Sequence, residues 1–139
     1  MTDKQKLTAR KRIAATLAKV YGLLKDKSKW TKGYYQRYIY DEDEENVIGS
    51  SYCLVGACRK VNGLYEDEAQ LALAANILGT KREVLESISY GTWYVGGTED
   101  EIIIQFNDAG KRTHAQVLGL LKRTETAVLA GKLDYALFF

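Results

Sequence analysis

The chain has 139 residues, 46% of them hydrophobic and 27% charged, with a net charge of +2, no proline and two cysteines. That length suits one domain with a core of its own, and the balance is that of a soluble globular protein. No apolar run approaches the ~20 residues needed to cross a bilayer, which argues against a membrane-spanning helix.

Ile13, Leu17, Val20, Tyr21 and Leu24 recur at helical spacing, with Lys and Arg between them, and predict a first helix over 4–25. Thr2 followed by Gln5 offers it a cap. Lys19 breaks the apolar run and no small-residue cleavage site follows, so the segment makes a poor signal peptide. Residues 1–32 carry ten Lys or Arg against Asp3 and Asp26, a local charge of +8, so the remaining 107 residues sum to −6. A basic helix is one footprint of nucleic-acid binding. The better reading is a solvated face whose cations lean toward acidic loops of the same chain or of a second copy. Five consecutive acids, Asp41 to Glu45, and a small net charge make a poor generic phosphate binder.

Trp30-Thr31-Lys32-Gly33 closes the next turn. Tyr34 to Tyr40 is aromatic and β-branched and reads as extended. After the acidic loop, Val47 and Ile48 pair back as a short second strand. Ten tyrosines are many for this length, and Tyr is favoured at interfaces. Ser51 to Cys58 is rich in small residues and predicts a short buried helix beginning after Ser50 or Ser51 and ending at Asn62-Gly63. Gly56 and Ala57 would let a neighbour approach closely. A third helix over 66–78 is apolar nearly all round and should be central. Its acidic start suits the helix dipole.

Thr80 with Glu83 forms a capping box for a short helix to Ser89. A loop from Tyr90 to Gly97 carries Trp93 and Tyr94. Ile102-Ile103-Ile104 reads as a short strand or a helical turn, leading into a polar Asn107-Asp108 turn. Thr113 with Gln116 is the plainest capping box. It opens a last helix from His114 to about Ala130, with Val117, Leu120, Leu121, Thr124 and Val128 on one stripe and Gly131 as its stop. The apolar end, Leu133 to Phe139, packs on its own core or on a partner. The expected architecture is one mainly α domain over 1–139, a compact bundle of about five helices with a minor β-hairpin; an α+β arrangement is the alternative.

Four blocks in this order carry a resemblance: Trp30-Thr31-Lys32-Gly33, then Tyr52 to Ala57, then the apolar helix Leu71 to Leu78, then Phe106-Asn107-Asp108 with Arg112-Thr113 and Val117, Leu120 and Leu121. The chain resembles a family of small phage and bacterial proteins classed only as a domain of unknown function. That family usually has Trp where this chain has Phe106, and often an acidic or small residue where it has His114. The resemblance covers roughly residues 7–130 and implies a compact helical domain of phage or prophage origin. It implies no activity.

Three chemistries compete. Cys53, near a helix start that lowers a thiol pKa, could act with His114 and Asn107 as a cysteine hydrolase. Its apolar neighbours Tyr52, Leu54 and Val55 and the lack of an oxyanion motif weigh against that. Asn107, Asp108, Arg112 and Thr113, with Trp93 as a stacking ring, could bind a small anionic, nucleotide-like ligand at a helix start. The competing structural account is an Asx-turn and a cap. Cys53 and Cys58 sit five apart and would point in different directions on one helix, so a disulfide is disfavoured and a reduced, cytoplasmic setting is expected. One histidine and two poorly spaced cysteines make no zinc site, the acidic run lacks the spacing of a calcium loop, and no phosphate loop or dinucleotide fingerprint is present. No cofactor is expected. The reading favoured by the sequence is a non-enzymatic, self-associating accessory protein that binds a host protein, through the Tyr-rich hairpin, its acidic loop and Phe138-Phe139.

Overall fold

The computed structural model describes residues 2–63, 68–79 and 97–134. Within them lie five α-helices and one two-stranded antiparallel sheet. Helix α1 spans Asp3–Leu24 and a 3-10 turn Lys27–Lys29; strands β1 and β2 span Gln36–Tyr40 and Val47–Tyr52. Helices α2, α3, α4 and α5 span Leu54–Asn62, Glu68–Leu78, Gly97–Asp108 and His114–Leu129. The mainly α fold with a minor hairpin is therefore as expected. The Thr80–Ser89 helix, the Trp93-Tyr94 loop and the end of the chain beyond Asp134 lie outside the described residues.

Periodicity explains the packing. Helix α1 buries Ala9, Ile13, Ala14, Leu17, Val20 and Leu24, which share one face at 3.6 residues per turn. It packs mainly on α5, which buries Val117, Leu120, Leu121, Thr124 and Val128. Helix α3 touches α4, α5, α1 and α2, as its all-round apolar surface requires. Capping boxes close both long helices at their starts: the Thr2 hydroxyl accepts from the Gln5 N–H, and the Gln5 side chain returns to the Thr2 N–H at 2.8 Å. Thr113 and Gln116 repeat the arrangement on α5. Gly131 ends α5 in the left-handed region, φ +74°, which lets the Lys132 N–H reach back to the Ala127 carbonyl at 3.0 Å.

Two local expectations change. The second strand does not stop at Ile48 but runs to Tyr52, so α2 starts at Leu54 with Cys53, not a serine, as its cap. The Tyr52 carbonyl accepts the Thr31 N–H at 3.0 Å, which holds the segment extended. Ile102-Ile103-Ile104 takes the helical of its two expected forms. Glu99 and Asp100 in the first turn of α4 favour that choice through the dipole, and Ile103 is fully buried. Asn107 and Asp108 consequently form the last turn of α4 rather than a separate loop.

The two ends of the described chain are tied by an ion pair. Asp134 accepts from both Nε and Nη2 of Arg10, a two-pronged bridge. That hydrogen bonding holds the Asp134 carboxyl below its ordinary value of 3.8. A lowered folded pKa gives stability that is complete above the unfolded value and is lost as pH falls through the folded one. We expect Asp134→Asn to flatten the acid limb of a stability-versus-pH profile below about pH 4 relative to the native chain. Thermal melts at pH 3 to 7 check this, and an unchanged limb refutes it.

Candidate functional site

Asn107 is 0% exposed and is the hub of the segment that the sequence singles out. Its Oδ1 accepts from the Trp30 indole Nε1 at 2.7 Å and from the Leu54 N–H at 3.2 Å. Its Nδ2 donates to the Thr31 carbonyl at 3.0 Å and to Asp108 Oδ1 at 2.8 Å. A buried indole N–H needs a partner, and a buried carboxamide offers one acceptor and one two-proton donor. The same Asp108 oxygen accepts the Gly33 N–H at 3.1 Å, and Lys32 Nζ donates to the Ala109 carbonyl at 2.8 Å. Trp30 to Gly33 and Asn107 to Ala109, some 76 residues apart in the chain, are thus clasped together.

The other predicted site residues sit around this clasp. Arg112 Nε donates to the Phe106 carbonyl at 2.8 Å, and its guanidinium lies 3.7 Å from the centroid of the Phe106 ring. Thr113 caps α5. His114 Nε2 lies 2.6 Å from the Leu24 carbonyl, with its ring 5.8 Å from that of Trp30. Trp93 lies outside the described residues. The structure therefore brings Asn107, Asp108, Arg112 and Thr113 together at one junction, and it directs the donors of Asn107 and Nε of Arg112 inward to the protein's own carbonyl and carboxylate oxygens. Trp30, Lys32 and Gly33 hold the junction from the other side, and sequence reasoning does not single them out as site residues. The signal available for them is the tryptophan itself, whose polar tip has to be met somewhere.

A cleft of about 590 Å³ opens beside the clasp, lined by Gly33, Tyr34, Tyr35, Gln36, Cys53, Ile104 and Asp108. Cys53 is nearly buried, and its Sγ accepts the Gly56 N–H at 3.4 Å. Burial pushes its thiol above the ordinary range, although the N–H groups of Gly56 and Val55 pull the other way. Cys58 is pushed up to about 12 by its burial, with Asp100 adding to it. A raised thiol pKa is the reverse of what a nucleophile needs. Among the described residues, no hydrogen bond joins His114 to Cys53; the histidine faces Leu24 and Trp30 instead. We expect both thiols to resist a disulfide-exchange probe at pH 7.5 in the native protein and to react promptly in denaturant. Labelling of Cys53 within seconds under native conditions would overturn this. No cluster of three or more potential metal ligands occurs among the described residues, and none of their helices is long and apolar enough to cross a membrane.

A family model described as a family of unknown function, DUF6197, matches residues 8–127. The chain belongs to this family. No curated protein and no solved structure matches it significantly. The matched span of this DUF6197 member takes in both halves of the clasp, from Trp30 to Thr113, together with the cleft beside it.

The same DUF6197 member carries a second distinctive surface. Its hairpin projects Tyr34, Tyr35, Tyr38, Tyr40, Val47 and Ile48 into solvent, with Tyr38 56% and Ile48 64% exposed. Opposed residues in the hairpin share a face, so Tyr38 stands with Ser50, and Tyr40 with Val47. The turn between the strands holds the five acids. Asp41 orders it: its carboxylate accepts the Glu45 N–H at 3.0 Å and the Asn46 side-chain amide at 2.9 Å. These bonds hold the Asp41 carboxyl below its usual range.

Proposed function

We propose that this protein is a small non-enzymatic accessory protein that binds a host protein and modulates it, with the hairpin face as the contact surface. The observation that carries this reading is the exposure of Tyr38, Tyr40, Val47 and Ile48 on one projecting two-stranded element. Large apolar side chains on a surface are ordinary when scattered; gathered on one projection they suit a protein interface, and tyrosine is the residue such interfaces favour. The acidic turn beside them supplies steering toward a basic partner surface. Phage or prophage origin and a cytoplasmic setting belong to the same reading and rest on the family resemblance and on the two unpaired thiols.

A small-ligand reading has the cleft beside Asp108 in its favour. Its wall presents a carboxylate and two tyrosine rings, which suit a neutral or cationic guest better than a nucleotide. The inward commitment of Asn107 and of Nε of Arg112 is why the hairpin reading stands first.

The test compares affinity capture from host lysate by the native chain and by the double variant Tyr38→Ser, Tyr40→Ser. A protein retained by the native chain should be lost with the variant, a weakening of about tenfold or more, while thermal stability stays unchanged. A partner retained equally by both chains refutes the hairpin as the contact surface.

A further inference from the structure

We propose that β1 pairs edge to edge with β1 of a second copy of the chain, antiparallel about a two-fold axis at Tyr38, to build one four-stranded sheet. This goes beyond the reading above, because it uses the edge of the hairpin and leaves its face free.

The edge is open. Among the described residues β1 pairs with β2 alone, while the far side of β2 is closed at its end by the Trp30–Tyr52 bridge and the Thr31–Tyr52 hydrogen bond. An unpaired strand edge is a template for another strand, and β1, Gln36-Arg37-Tyr38-Ile39-Tyr40, has no proline and a single charge to blunt it.

The direction of the backbone groups fixes the register. The Asp41 N–H donates to the Asn46 carbonyl at 2.9 Å, so residue 41 faces inward across the hairpin. Backbone groups alternate along an antiparallel strand, so 39 and 37 also face β2, and Gln36, Tyr38 and Tyr40 face the open edge. Strand β2 gives the same parity independently: the Tyr52 carbonyl points away from β1 to Thr31, and its opposite residue is Gln36. The three outward residues are centred on Tyr38. All three pair only when Tyr38 lies opposite Tyr38 of the second copy and Gln36 lies opposite Tyr40.

Charge complementarity identifies the occupant as a second copy rather than an arbitrary strand. In this register the acidic turn that follows Tyr40 in one copy comes beside Tyr34 and Tyr35 of the other, with Glu42 as its pairing carboxylate, since Asp41 is held within its own turn. The Tyr34 ring carries a cation: Arg37 stands 5.6 Å from its centroid, whereas the Arg59 beside Tyr35 is taken up by Asp100 at 2.6 Å. Each acidic turn meets Arg37 of the other copy, and the two-fold axis repeats the match.

Cysteine cross-linking reads the register directly. Residues that exchange both hydrogen bonds across an antiparallel pair have Cα atoms about 5.5 Å apart, within disulfide range. Mild oxidation with diamide should therefore convert Tyr38→Cys into a covalent dimer. Tyr40→Cys should stay monomeric on a denaturing gel, because its two copies lie about 14 Å apart along the strands. Sedimentation equilibrium tests the association without cross-links. The native chain should be a dimer at high micromolar concentration. Tyr38→Pro removes an N–H from the open edge and none from the β1–β2 ladder, and should be monomeric with unchanged circular dichroism. Should that variant lose its fold, Arg37→Glu provides the second route: it should weaken the dimer about tenfold, and adding Glu42→Arg in the same chain should restore it. A native monomer, a dimer that survives Tyr38→Pro, equal cross-linking at both positions, or no rescue by the charge swap overturns the proposal. Loss of host-protein capture by the face variants with the dimer intact, or the reverse, separates this inference from the proposed function.

Discussion

Asn107→Ala should cost this protein a large share of its stability. The change removes four hydrogen bonds and leaves the Trp30 indole N–H, the Leu54 N–H and the Thr31 carbonyl without their partner. Each buried group so orphaned costs about 1–3 kcal/mol. A total near 4 kcal/mol is expected, against about 5–15 kcal/mol for a whole domain. Asn107→Asp tests the same point more finely. It keeps the acceptor for Trp30 and Leu54 but loses the donor to Thr31 and sets a second carboxylate against Asp108. It should also be strongly destabilising. Urea unfolding followed by tryptophan fluorescence measures both, with a lower midpoint and an unchanged slope. A loss under about 1 kcal/mol for the alanine variant would show that water replaces the side chain, and the clasp would then be incidental.

Gly56→Ala should be the second large effect, and its sign is opposite to the usual one for a helix. An alanine in place of a helical glycine ordinarily stabilises by about 0.5–1 kcal/mol. Here a Cβ at position 56 would lie 1.8 Å from the Tyr35 carbonyl oxygen and 2.6 Å from its carbon. Both are backbone atoms, so no rotamer change relieves the clash. Either α2 or the strand entry has to move, at a cost of about 1–3 kcal/mol. Gly22 in α1 is the control, since a Cβ there would meet nothing within 4 Å. Gly22→Ala should raise the melting temperature while Gly56→Ala lowers it. If the two substitutions shift it in the same direction, the close approach of α2 to Tyr35 is wrong.

Much of this fold is legible because its determinants are local. Apolar spacing and a Thr–Gln pair mark α1 and α5 to within a residue at each end, since periodicity and caps act within one or two turns. Where contacts distant in sequence decide, local signals mislead. Gly49-Ser50-Ser51 carries little strand propensity, yet it is extended because β1 and Thr31 pair with this stretch. The isoleucines of α4 favour a strand locally, and burial of Ile103 within the bundle overrides them. The candidate site divides in the same way. Asn107, Asp108, Arg112 and Thr113 stand out as a polar cluster between apolar stretches. Their partners Trp30 to Gly33 do not, because nothing near Trp30 in the chain announces a carboxamide 77 positions away. The trio of buried Asp100 and Gln70 with half-buried Arg59, at 2.7 and 2.6 Å, is hidden from sequence reasoning for the same reason; a glutamine in the apolar run of α3 is its one trace.

The pairing of α1 with α5, locked by Arg10 and Asp134 at a separation of 124 residues, bears on how the molecule is made. During synthesis the first helix leaves the ribosome long before its partner exists. Ile13, Leu17, Val20 and Leu24 can meet α2 and α3 earlier, but they lack their main packing surface until α5 has been translated. A nascent chain of this topology cannot complete its core stepwise from the front. It has to collapse late, in one cooperative event, with its apolar stripe available to chaperones in the meantime.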